Sequence, residues 1–188
     1  MRSTTLAVVL CAVLGSTSSL ASASFANRSL GLGVSGFSLQ PNGADVVTWG
    51  VPVTLEGGLY VENGFDLYLH IPFMLLSQKV GFGPDKSAPG LILATGGQFG
   101  VRYLFMEESV RPYVMLHLAG LYLFRDSTLG NNFYAGPGAG VGIDFFVADS
   151  ISLGLRATAD MYLTLNPPAG SSAVLLSIGG GAAITTYF

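Results

Sequence analysis

A single cysteine, Cys11, stands in the whole chain of 188 residues. Without a second thiol there is no disulfide framework and no thiolate metal site. Charge is nearly as scarce, since Asp, Glu, Lys and Arg make up 10% of the residues and leave a formal net charge of −3. That balance provides no basic surface for nucleic acid. Long apolar runs are missing too: beyond residue 23 no window holds the 18 or so consecutive apolar residues of a helical membrane span. Yet half the chain is hydrophobic and its mean hydropathy is +0.56, too greasy for an ordinary soluble domain. The remaining way to place such a chain in lipid is a closed sheet, because only helices and closed barrels satisfy every backbone polar group there.

The first residues have the three parts of a secretory leader: a positive charge at Arg2, an apolar run from Leu6 to Leu14, and the small-residue cleavage pattern Ala21-Ser22-Ala23. The run falls far short of the roughly 20 residues of a helical anchor. The expected division is a signal peptide over 1–23 and a barrel domain over 24–188. Cys11 lies inside the leader, preceded by Val9 and Leu10 rather than by small residues, so it is not expected to be lipidated. A mature chain without thiols suits passage through an oxidising periplasm.

Period-two patterning then divides the rest of the chain. Over 151–165, Ile151, Leu153, Leu155, Ala157, Ala159, Met161, Leu163 and Leu165 alternate with Ser152, Gly154, Arg156, Thr158, Asp160, Tyr162 and Thr164, which gives one lipid-like and one aqueous face. The same alternation marks 48–62 and 65–76, separated by Glu62-Asn63-Gly64, and Asn-Gly is a strong hairpin signal. Half-polar strands follow at 91–105 and 132–147. Residues 112–124 are apolar on both sets, and Val114, Leu116, Leu118, Tyr122 and Phe124 point outward if His117 points inward. The first strand, 28–39, has Leu30, Leu32 and Val34 in phase and Phe37 out of it, for which a bulge near Gly36 is expected. With 173–188 the count is eight. Longer connections at 40–47, 77–90, 125–131 and 166–172 alternate with short ones near 62–64, 107–111 and 148–150, as an even-stranded barrel with both termini in the periplasm requires. The fold class is therefore all-β: an eight-stranded antiparallel up-and-down transmembrane barrel.

Aromatic residues should form girdles at the two membrane interfaces. This topology places Tyr60, Phe65, Phe105, Tyr113, Phe145, Phe146, Tyr187 and Phe188 near the periplasmic rim, and Trp49, Phe73, Tyr122, Phe124, Phe133 and Tyr134 near the external one. Pro52, Pro72, Pro112 and Pro137 all fall within strands and are expected near strand ends, since a closed barrel has no edge where a missing N–H is harmless.

The leader, the eight alternating segments, the loop pattern and the terminal Tyr187-Phe188 resemble the small outer-membrane β-barrel superfamily of Gram-negative bacteria, that of OmpA transmembrane domains, OmpX and OmpW. The resemblance is architectural and covers nearly all of 26–188. It implies a bacterial outer-membrane location, contact with membrane lipid and lipopolysaccharide, and recognition of Tyr187 and Phe188 by the barrel assembly machinery. Ile184 and Ala182 fit that assembly signal, whereas Thr186 and Gly180 depart from its bulky residues. A monomer is expected.

By strand parity the lumen holds Glu56, Asp66, His70, Arg102, His117, Asp144, Arg156 and Asp160. Two readings follow: a static network filling the interior, favoured because buried ions must be paired and eight strands enclose little more than side chains, or a gate in which Arg102 and Arg156 exchange carboxylates. His70 and His117 lack neighbours at metal-ligand or nucleophile spacing, so no catalytic, metal or cofactor site is expected. A lipid A-modifying enzyme would need a Ser and a His facing the lipid; parity sends His70 inward and Ser77 into an external loop. The glycines at 136, 138, 140, 142 and 179–181 lack the strand, turn and helix start of a phosphate-binding loop and instead make room inside the barrel. The expected role is structural or interfacial, with a narrow channel or an OmpW-like transporter of small or apolar molecules as the main rival and an adhesin as a lesser one.

Overall fold

The computed structural model describes residues 28–41, 48–78, 90–105, 109–124, 132–164 and 173–188. The expected leader, Cys11 and nearly all of the long connections lie outside the described residues; residues 40–41, 77–78 and 90, expected in connections, belong to strands. The strands run in chain order as β1 (Arg28–Pro41), β2 (Thr48–Glu62), β3 (Phe65–Gln78), β4 (Gly90–Leu104), β5 (Val110–Phe124), β6 (Asn132–Ala148), β7 (Ile151–Leu163) and β8 (Val174–Tyr187). Each is antiparallel to its neighbours, and β8 pairs with β1 from Ser29↔Tyr187 to Pro41↔Leu175, closing the barrel. With 13 to 17 residues, every strand exceeds the ~9–11 needed to cross a bilayer at a tilt.

Local chemistry sets the β2–β3 turn. Asn63 and Gly64 both have positive φ, 52° and 82°, the conformation of the two-residue type I′ hairpin, whose twist matches that of its strands. The Gly64 N–H donates to the Tyr60 hydroxyl at 3.1 Å. At the β6–β7 turn the register shifts between Phe146 and Ala148.

The barrel is hydrophobic outside and mixed inside. Leu118 is 69% and Ile178 70% exposed, whereas Asp66, His117 and Asp160 are buried, the reverse of a soluble barrel. His117 faces inward and Val114, Leu116, Leu118 and Phe124 outward, which fixes the phase of β5.

Three expectations need correction. First, β1 has no bulge at Gly36: its ladder with β8 is unbroken and its pairs with β2 keep one register from Arg28↔Leu59 to Leu39↔Thr48. Phe37 faces inward because the opposite residues are Gly50 and Gly179, and a Cβ on either would crowd its ring or Cβ. Second, several aromatics assigned to the girdles face the interior. Tyr113 and Tyr134 are buried, and Tyr60, Phe146 and Tyr187 are half-buried on the inward parity. The outward aromatics are Phe65, Tyr103, Phe105, Phe145 and Phe188 towards one end, with Tyr103 against Phe65 and Phe105 at 5.0 and 5.3 Å, Trp49, Phe73, Tyr122, Phe124 and Phe133 towards the other, and Phe99 in mid-wall. Third, Pro52, Pro72 and Pro137 lie well inside β2, β3 and β6. Each coincides with a break in one ladder: β1–β2 lacks pairing of Ser35 and Gly36, β3–β4 of Ile71 and Pro72, and β6–β7 of Gly136 and Pro137. The strand on each proline's other side stays paired, so the missing N–H costs one ladder only.

Candidate functional site: the luminal charge belt

The inward positions of six strands converge on one cluster. Arg102 on β4 bonds Asp66 of β3 through Nε, at 3.0 Å, and through Nη2; its Nη1 donates to Asp144 of β6 at 3.2 Å. Its guanidinium lies 4.8 Å from the ring centroid of Tyr113, so the cation has an aromatic face as well as two carboxylates. The Tyr187 hydroxyl also points at Asp144, at 3.5 Å. Arg156 on β7 contacts Glu56 of β2 at 2.6 Å, and Glu56 faces His70 Nε2 at 3.8 Å. His70 stacks on Tyr68 at 4.5 Å between centroids and approaches Gln98 at 3.4 Å.

His117 joins three strands. Its Nε2 lies 2.5 Å from Asp160 of β7 and its Nδ1 2.7 Å from the Tyr68 hydroxyl of β3. An ionised carboxylate only accepts, so Nε2–H donates to Asp160, and in a neutral imidazole Nδ1 then accepts from the Tyr68 hydroxyl. Together the contacts tie β2 to β7, β3 and β4 to β6, and β3 and β5 to β7 across the barrel axis.

Glycines supply the space. A Cβ on Gly33 would run into Glu56 and Arg156, one on Gly138 into His117 and Asp160, and one on Gly154 into Asp144. Every predicted luminal residue is therefore present in this one belt: Glu56, Asp66, His70, Arg102, His117, Asp144, Arg156 and Asp160. Ser77 sits in β3, not in a loop, paired with Trp49 and Leu91. It is exposed while His70 is buried in the lumen, so the two share no site. Among the described residues no group of three or more His, Cys, Asp or Glu could hold a metal ion.

A second luminal layer was missed by sequence reasoning. Leu39, Met74, Leu76, Ala94, Ala119, Leu121, Leu123, Tyr134, Tyr162 and Leu175 form a buried apolar cluster, with Phe37 and Ile92 packed on it. It occupies the strand ends that run to the long connections and closes the barrel above the charges. The one sequence signal for it is the doubly apolar β5, whose Leu121 and Leu123 belong to this layer.

No protein-family model matches the chain, and no curated protein is similar to it in sequence. Solved structures do match. Neisserial surface protein A is similar over 86% of this chain and 97% of its own, at 13% identity with a TM-score of 0.64. The outer membrane protein OprG from Pseudomonas aeruginosa matches over 87% of this chain and 97% of its own, at 10% identity and a TM-score of 0.59. The outer membrane protein AlkL, solved in lipid bilayers, matches over 90% and 94%, at 13% identity and a TM-score of 0.53. At these identities the likeness is one of fold, and the fold is that of small outer-membrane barrels.

Proposed function

We propose that this chain is a bacterial outer-membrane protein with a structural or interfacial role, and that its lumen is closed rather than conducting or catalytic. The observation behind this reading is that side chains fill the interior at two levels, an ion-paired belt and an apolar cluster, while the outer wall is predominantly hydrophobic. On this reading both termini face the periplasm, Tyr187 and Phe188 present the assembly signal, the partners are membrane lipid, lipopolysaccharide and the assembly machinery, and the protein works as a monomer without a cofactor. Planar-bilayer recordings test it. The wild type is expected to be silent, and discrete channels in the wild type that vanish or widen in Arg102→Ala would replace this reading with a gated one. Expression is expected to leave lipid A acylation unchanged by mass spectrometry; altered acyl chains would make the protein an enzyme.

The apolar luminal layer favours one rival, passage of small apolar molecules by an OmpW-like route. The charge belt beneath that layer interrupts any apolar tunnel along the axis. Uptake of a small apolar dye by cells expressing the protein, above that of cells lacking it, would favour the rival.

A further inference from the structure

Between the two luminal layers lies a cavity of about 50 Å³. Its polar lining includes Ser35, Thr54, Gln98, Arg156, Asp160 and Ser177, and Pro52 and Pro72 also border it. At ~10–15 Å³ for one water, it has room for on the order of three waters alongside these polar groups.

The cavity's position coincides with the ladder breaks. Five of the eight ladders run without a proline gap, and the three interrupted ones are broken where Pro52, Pro72 and Pro137 fall. Continuing the register of each interrupted ladder sets Pro52 opposite Ser35 and Pro72 opposite Gly96. A proline has no N–H to offer, so the carbonyls of Ser35 and Gly96 lose their ladder donor. Pro72's own carbonyl is served differently, by the Thr95 hydroxyl at 3.0 Å. In a wall surrounded by lipid, a carbonyl without a donor is costly unless it faces a wet cavity. Ser35, Pro52 and Pro72 border this one, and so does Tyr162, next to the third break.

From this convergence we infer that the cavity is a water-binding site, in which a small fixed cluster supplies the hydrogen-bond donors that Pro52 and Pro72 remove from the wall. The ligand is water, the site is walled by the charge belt on one side and the apolar cluster on the other, and its task is to let mid-strand prolines exist in a closed barrel. This goes beyond the structural role proposed above and is independent of whether the lumen conducts.

Water-edited solid-state NMR of the whole protein in deuterated lipid bilayers tests it. Signals of Ser35, Thr54, Gly96 and Ser177 should receive water magnetisation early, while Leu76, Leu123 and Leu175 of the apolar cluster, which do not border the cavity, stay dark. Pro72→Val restores an N–H opposite Gly96, and the water signal at Gly96 should fall at least twofold while that at Ser35 persists. Pro52→Val should do the converse. If Ser35 and Gly96 are as dark as the leucines in the wild type, the site is dry and the inference fails. It also fails if both proline variants fold and leave the two signals unchanged. Should the variants not fold, the wild-type contrast between wet and dark residues still decides.

Discussion

Arg102 is shared by two carboxylates, and this makes it the most exposed point of failure among single side chains. Arg102→Ala leaves Asp66 and Asp144 buried with no cation between them, and breaking a buried pair from one side costs about 3–5 kcal/mol. Urea titration of the barrel refolded in lipid should show that loss. Asp66→Asn should lose clearly less, because Arg102 keeps Asp144. Gly50 tests packing in the opposite direction. A Cβ there meets Leu76 at 2.7 Å and overlaps the Phe37 ring, so Gly50→Ala should destabilise by about 1–3 kcal/mol through overpacking. Adding Phe37→Ala should recover part of that loss in a double-mutant cycle. Additive effects of the two changes would contradict the inward placement of Phe37.

Among the elements, the β2–β3 hairpin depends on one backbone position. Gly64 sits at φ 82° with the Leu104 carbonyl close to where a side chain would begin. Gly64→Val should cost about 1–2 kcal/mol for the left-handed conformation alone, more with the steric overlap, and should slow refolding as followed by heat-modifiable gel migration. This turn and the strands were legible in the sequence because a period of two leaves no freedom: once Leu153, Leu155 and Ala157 face lipid, Arg156 and Asp160 must face inward. The six charged and two histidine side chains of the belt followed from the same parity. The apolar layer did not, since Leu39, Leu76, Leu121 and Leu175 carry the same chemistry as the outward leucines and only register tells them apart. Tyr113, Tyr134 and Tyr187 misled for a related reason, as a tyrosine has both an apolar body and a hydroxyl and fits a girdle or a lumen equally well. Pro52, Pro72 and Pro137 were expected at strand ends because a proline's cost was counted against the whole sheet, when it falls on one ladder.

For the whole molecule, the wall and its surroundings dominate. Leu118 is 69% exposed near the middle of β5, where an arginine facing hydrocarbon costs about 2–4 kcal/mol in a barrel. Leu118→Arg should therefore lower stability in bilayers by that amount, with a smaller loss in detergent, whose molecules rearrange around a charge. Equal and negligible effects in both would mean that the leucine face is not embedded in lipid.

Among the described residues, none of the charged or histidine side chains of the belt comes from the first or last strand. β1 and β8 line the inside of their shared seam mainly with glycine, serine and alanine, and Tyr187 reaches the belt only with a hydroxyl. The ionic ties can thus be made on a curved six-stranded sheet that is still open to water. At the level of the belt the joining of the two ends brings Gly31, Gly33 and Ser35 against Thr185, Ala183 and Gly181, so sealing the cylinder there strips water from few charges.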